Sequence, residues 1–429
     1  MESLFHYVWR HKLYNTDSFS TSSGIPVLVI DQGIHNIHAG PDFFNAKIRL
    51  GNETWAGDVE MHLCSSDWVK HGHHTDKAYN SVILHVVENI DMEIQSENGH
   101  KIPQLVLQIP PKVKENYEYL LNRNTLIPCL CQIRDVPNLY LTDWLNALLI
   151  ERLERKTNDL FKLLKDYKDG WGDVFYITLS RNFGFGINND AFERLARNLP
   201  LKYVMKHKDS LLQVEALFFG QAGLLNEDDD KDDYYRSLKK EYDFLRKKFK
   251  LNPLESHIFK SLRIRPNNFP HIKIAQLATL VRTQEALFSK MLETDDVQSL
   301  RNLFIAELSE YWDTHYLFGK TSSERKKIIG LSAQNAILIN TVVPVLFTYG
   351  KIKRQPVLQE RAVQLLESIK PECNYIVNEF AKVGIMPVHA GDSQALIQLQ
   401  KEYCEKKKCV FCRIGHKLLS GLPQVKTCG

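Results

Sequence analysis

Residues 40–62 read Gly-Pro-Asp-Phe-Phe-Asn-Ala-Lys-Ile-Arg-Leu-Gly-Asn-Glu-Thr-Trp-Ala-Gly-Asp-Val-Glu-Met-His. Two runs of strand character, Ala46 to Leu50 and Trp55 to Leu63, flank Gly51-Asn52-Glu53, a connector short enough for a hairpin. In the second run the strand period of two sets Asp58, Glu60 and His62 on one face and Val59, Met61 and Leu63 on the other. Three ionisable groups in a row are costly in a core unless they are paired or coordinate a cation. Folding the hairpin carries Asp42, at the mouth of the first strand, towards Asp58 and Glu60. Convergent carboxylates of this kind suit Mg²⁺ or Mn²⁺, so Asp42, Asp58 and Glu60 are the expected metal ligands.

Working outward, an amphipathic helix is expected around Leu4 to Arg10, with further strands at Pro26 to Ile30, Ser81 to Val87 and Gln104 to Ile109. Ser65 to Asn80 has room for a helical turn or two, capped at Ser65 or Ser66. From Val136 the period becomes helical, with Leu141, Trp144, Leu145, Leu148 and Leu149 on one stripe. The expected class is therefore α+β: an α/β domain with a mixed sheet over residues 1–125, then a large all-α region over 126–429, with a split near 226–235. At that split, the acidic run Glu227 to Asp233 lacks the glycine and glutamate of a calcium loop and reads as a solvated connector.

The 429 residues include 55 Lys+Arg against 51 Asp+Glu, a net charge of +4 that is too small to imply a polyanion partner by itself. With 44% apolar and 25% charged residues, disorder and fibrous classes are excluded. The opening residues lack the apolar stretch of a signal peptide, and Ala336 to Tyr349 is shorter than the roughly 20 residues of a spanning helix. A cytoplasmic protein is expected.

Seven of the 16 histidines (35, 38, 62, 71, 73, 74 and 85) fall within residues 35–85. Asp67, His71, His74 and Tyr79 are expected to face the carboxylate cleft. An alternative chemistry is a zinc site of His73, His74 and His85 with Asp76, although His85 within an apolar strand reads better as a hydrogen-bonded core residue. Trp55 and Trp68 read as packing residues. Near the C-terminus Cys404, Cys409 and Cys412 have C-x₄-C-x₂-C spacing, suited to zinc or an iron–sulfur cluster, with His416, Cys428, Cys129 or Cys131 available as a fourth ligand. Polar basic segments around Arg263 to His271 and Lys351 to Arg354 are candidate phosphate contacts.

The order Pro41-Asp42, hairpin, then Glu60-Met61-His62, within a helix–strand–strand–strand–helix–strand frame, resembles the PD-(D/E)XK nuclease core. The resemblance implies a restriction-endonuclease-like fold, Asp42 and Glu60 as metal-holding acids, and phosphodiester hydrolysis of DNA or RNA. Where that family places a lysine this chain has His62, and Lys47 on the neighbouring strand is the displaced ammonium candidate. The departure leaves two alternatives open: a catalytically degenerate, nucleic-acid-binding or scaffold protein of the same fold, and a His-rich zinc hydrolase. Taken over nearly its full length, through Gly40 to Phe43, Gly57 to His62, Ser66 to Tyr79, Arg263 to Gln276 and Ser393 to Gly415, the chain also resembles a bacterial family known only as a domain of unknown function. That second resemblance implies no activity.

Overall fold

A computed structural model describes residues 1–15, 19–225, 231–283 and 286–421. Most of the acidic connector and Cys428 lie outside these residues. Helix α1 (Glu2–Arg10) precedes strands β1 (Val27–Asp31), β2 (Ile34–His35), β3 (Phe43–Leu50), β4 (Glu53–Cys64), β5 (Val82–Asn89) and β6 (Gln104–Val106). Helix α2 (Asp67–Lys70) lies between β4 and β5, and α3 (Pro111–Asn122) follows β6. The protein is α+β, with this mixed sheet at the N-terminus and mostly helices beyond it.

The sheet order is β1-β3-β4-β5-β6, with the short β2 also on β3. The expected hairpin is β3–β4, turning between Leu50 and Glu53. Strands β1, β2 and β4 pair antiparallel with β3, whereas β4–β5 and β5–β6 are parallel. The β3–β4 register passes from Phe43–Val59 to Ala46–Gly57, so β3 carries a bulge. Asn45 sits in that bulge with φ 57°, and its N–H donates to Asp58 Oδ1 at 3.0 Å. Opposite it, Gly57 permits the close approach of β5: a Cβ there would lie 2.4 Å from Ile83 Cγ2 and 2.7 Å from Ser81 O.

One face of the sheet buries Phe43, Ile48, Val59 and Met61 against Leu4, Phe5, Val8 and Trp9 of α1 and Val113, Tyr117 and Leu120 of α3. A smaller core of Trp68, Tyr79, Val82, Ile94 and Ile102 covers part of the other face. The even-numbered residues of β4 point to that second side, which is why Glu60 and His62 become buried there beneath Trp68 rather than in the main core. Trp68 is fully buried, as expected, but Trp55 is 43% exposed at the open end of β4.

The expected helix within Ser65 to Asn80 is limited to α2 and two 3₁₀ turns, His73–Thr75 and Lys77–Tyr79. Gly72, at φ 80°, ends α2 after one turn. Neither serine caps it: Ser65 Oγ donates to Asp91 Oδ1 and accepts from the N–H groups of Asp91 and Met92, fastening the loop after β5.

The chain divides into two compact units. The first comprises Met1–Trp144, Asn378–Ile385 and Leu399–Gly429, so it takes in the C-terminal cysteine segment as well as the sheet. The second comprises Leu145–Val377 and Met386–Gln398, and begins within helix α4 (Asn138–Asp166). Among the described residues it departs from all-α in a two-stranded ribbon of His315–Leu317 and Lys320–Thr321. The helical stretch Leu331–Ile352 is long and apolar enough by composition to cross a membrane, but most of it is buried within this unit.

Glu215 is a buried acid of the second unit, bonded by the Tyr234 hydroxyl and, at 3.1 Å, by the Trp312 indole N–H. Burial raises its pKa to about 7 despite those bonds. Because the folded value lies above the unfolded one, this residue favours the folded state most at low pH, and the advantage is lost as pH rises through 7. Glu215→Gln should match wild type near pH 4 and exceed it by roughly 3 kcal/mol above pH 8. Urea unfolding at the two pH values checks this, and equal stability differences at both would contradict it.

Candidate metal centre

Strand β4 delivers Glu60 and His62 to the same face, and the α2 segment folds over them with His71 and His73. His62 Nε2 lies 3.1 Å from His71 Nδ1 and 3.5 Å from Glu60 Oε1, and His73 Nε2 lies 3.2 Å from Glu60 Oε1. One nitrogen from each of the three histidines falls within 4.8 Å of the other two. A tetrahedral ion with ligand bonds near 2.0–2.1 Å spaces its donors by about 3.3–3.4 Å. The nitrogens of His62, His71 and His73 are therefore close enough to share one ion, and Glu60 adjoins two of them, His62 and His73. Glu60, His62 and His73 are buried, while His71 is exposed and opens the centre to solvent.

Behind this set stands His85, fully buried, whose Nε2 is 2.8 Å from His62 Nδ1. For His62 to ligate through Nε2 its proton must sit on Nδ1, where His85 Nε2 accepts it, taking the place that a carboxylate, backbone carbonyl or water usually fills beside a ligating imidazole. Trp68 packs edge-on against both His73 and His85, with ring centroids at 5.4 and 5.5 Å, and Tyr79 stacks on His73 at 3.8 Å. Burial, reinforced by the neighbouring imidazoles, lowers His62 to about 4 and His85 to about 3. Both rings are thus neutral at pH 7, the state in which imidazole binds metal. Burial raises Glu60, and the adjacent Asp42 carboxylate adds to that against the opposing pull of His73.

Asp42 is joined to Glu60 through the backbone. Its N–H donates to Glu60 Oε2 at 3.0 Å, and its own Oδ2 accepts the Met61 N–H at 3.0 Å. His6 of α1 brings Nε2 to 3.3 Å from the same Asp42 oxygen. Burial disfavours the charged form of His6, but Asp42 beside it, with Glu2 and Glu60, raises its pKa on balance. Next to this pair is a cavity of about 220 Å³ lined by Ser3, His6, Arg10, His11, His35 and Asn36 among others.

The residues expected from the sequence are distributed unevenly about this centre. Asp42, Glu60 and His62 are together. Asp58 lies on the same strand face, but its carboxylate is occupied by the bulge, accepting from Asn45 N–H and from Ser81 Oγ at 2.6 Å. Lys47 is exposed and pairs with Ala56, four residues from Glu60 or roughly 13 Å along the strand. His73 is in the donor set, whereas His74 is exposed and Asp76 caps the second 3₁₀ turn through Ala78 N–H. Asp67 holds Lys70 and the Cys64 N–H rather than entering the cleft. His6 was not among the expected residues; its only signal is a polar ring beside the apolar stripe of an otherwise buried helix. The cysteine trio lies apart from this donor set, near the C-terminus.

Replacing His85 removes the acceptor that orients His62. His85→Phe, which keeps the volume filled, should weaken divalent-metal binding by about 10–100-fold. Calorimetric metal titration reads this directly, and unchanged affinity would show that His85 only packs.

Together these elements define an α+β protein whose sheet carries a buried cluster of histidine and carboxylate donors. The chain belongs to the DUF2851 family, described as proteins of unknown function, which it matches over residues 2–375. That range includes every donor above and ends before Cys404. No curated protein and no solved structure matches the chain.

Proposed function

We propose that the N-terminal unit is a divalent-metal-dependent hydrolase that cuts phosphodiester bonds in nucleic acid. The observation that carries this reading is the convergence of His62, His71 and His73, with Glu60 against His62 and His73 and Asp42 hydrogen-bonded to Glu60. Imidazole-rich donor sets favour Mn²⁺ or Zn²⁺ over Mg²⁺. A bound ion would supply Lewis acidity toward a phosphoryl oxygen and acidify an attacking water. Asp42 and His6 adjoin one another at 3.3 Å, and in this reading His6 would protonate a leaving oxygen. Arg10 and His11 in the neighbouring cavity suit the substrate phosphate. The placing of Asp42 before β3 and Glu60 on β4 supports kinship with the PD-(D/E)XK arrangement, His62 taking the lysine's position.

A polyanionic substrate is also favoured by the second unit, where a cleft of about 540 Å³ is lined by four arginines, Arg152, Arg155, Arg181 and Arg197, and two lysines, against three acidic side chains; burial lowers one of those lysines, Lys156, to about 7. Binding to DNA or RNA should weaken steeply between about 50 and 200 mM salt.

The test is cleavage of single- and double-stranded DNA and RNA with Mn²⁺, Zn²⁺ or Mg²⁺ added to metal-stripped protein. Asp42→Ala should remove cleavage and leave the fold intact by circular dichroism. Salt-sensitive binding with no cleavage under any ion would instead favour the degenerate, binding-only alternative. Ion-dependent hydrolysis of small esters with no nucleic-acid cleavage would favour the zinc hydrolase.

A further inference from the structure

Four cysteines of the first unit come from two distant stretches of chain. Cys129 lies in the turn after α3, Cys404 ends the π-helical segment Leu399–Cys404, Cys409 opens a 3₁₀ turn, and Cys412 precedes the helix Arg413–Gly421. None of the four is in a disulfide; Cys404, Cys409 and Cys412 are buried and Cys129 is half-buried. Each sulfur is within electrostatic reach of the other three. Gathering four thiols in one apolar place has no packing rationale that Ala or Val would not satisfy equally.

The surrounding backbone is built around these sulfurs. The N–H groups of Ile414 and Gly415 point to Cys412, and the buried Trp144 indole N–H, which closes no hydrogen bond among the described residues, lies toward the same sulfur. Gly415 packs so closely on the Cys409 turn that a Cβ would lie 2.0 Å from Cys409 O. Lys407, in the left-handed conformation at φ 53°, donates its ammonium to the Arg123 carbonyl, and its charge there still favours the thiolate forms of Cys404 and Cys409. Amide N–H groups and a nearby cation are what thiolates bound to metal require. His416, the nearest non-cysteine candidate, is instead engaged by the Tyr7 hydroxyl at 2.8 Å.

We infer that Cys129, Cys404, Cys409 and Cys412 bind an iron–sulfur cluster that ties the C-terminal segment to the sheet-bearing unit. A single zinc with Zn–S bonds near 2.3 Å would draw its sulfurs to about 3.8 Å from one another. Among the described residues no three of these sulfurs fall within 4.8 Å of one another. A cluster spreads its thiolates over more than one iron and accommodates the wider spacing, and C-x₄-C-x₂-C is a spacing such clusters use. Transfer of a preassembled cluster from carrier thiolates is redox-neutral: four S–H bonds and the cluster's four bonds to the carrier break, four iron–thiolate bonds to these cysteines form, and the four protons pass to the departing carrier thiolates.

The full chain, purified without oxygen from iron-replete cells, should contain iron and acid-labile sulfide in equal amounts and absorb in the visible range, with bleaching by dithionite. Cys129→Ser and Cys412→Ser should lose iron and sulfide together, and Cys373→Ser, on an exposed residue elsewhere, should retain both. Glu60→Gln should also retain both, which separates this inference from the reading of the histidine centre. Zinc without sulfide, no metal in the folded wild-type protein, or an intact cluster in Cys129→Ser would overturn it. The wild-type analysis decides the matter even where a serine variant fails to fold.

Discussion

Glu60→Gln should cost the protein its divalent ion and reduce metal-dependent cleavage on the order of 10³-fold. Glu60 is the carboxylate that adjoins the histidine set: one oxygen lies 3.5 Å from His62 and 3.2 Å from His73, and the other accepts the Asp42 N–H. Glutamine preserves the shape and can still accept that N–H, so the fold is kept while the anionic donor is lost. The residue is 4% exposed, which leaves little opportunity for water to replace the missing charge. Metal titration and cleavage on the same preparation check the result. Retained affinity with lost cleavage would move Glu60 from metal holding to proton transfer, and retention of both would remove it from the site.

Trp68→Ala is the second large expected effect, a destabilisation of about 3–5 kcal/mol. The indole is fully buried in the small core on the site's side of the sheet, its N–H donates to Gln95 O at 3.0 Å, and its ring faces His73, Tyr79 and His85. That core has few other large side chains, so the cavity cannot collapse without shifting the metal donors. Metal affinity should therefore fall with stability in Trp68→Ala, and both should recover in part in Trp68→Phe. Denaturant unfolding measures the first quantity and titration the second. A loss under about 1 kcal/mol would mean that this core contributes little.

The hairpin was legible because its alternation is strict and its connector short: Val59 and Met61 against Glu60 and His62 allow only one facing. Asp42 was legible for the same reason, since a strand pair dictates which residues meet across it. The bulge at Asn45 was not, and it changes the role of Asp58: one additional residue in β3 turns a candidate ligand into a clamp on the backbone. No local propensity signals such an insertion. The histidine set was half legible. Crowding of imidazoles pointed to metal, but which of His71, His73, His74 and His85 converge depends on α2 stopping at Gly72 and on the 3₁₀ turn that follows. His6 was the least visible, whereas Cys129 was one of four candidates named from the sequence to join the cysteine trio. His6 meets Asp42 through the packing of α1 on the sheet, which leaves no trace in sequence spacing.

The central claim is that nitrogen and carboxylate donors from β4 and the α2 segment hold one divalent ion. Pulsed electron paramagnetic resonance of Mn²⁺ bound to metal-stripped protein tests it most directly. The account predicts couplings to imidazole nitrogen that diminish in His73→Ala and are lost with binding in His62→Ala. Mn²⁺ that fails to bind, or that binds with oxygen donors only, would contradict it.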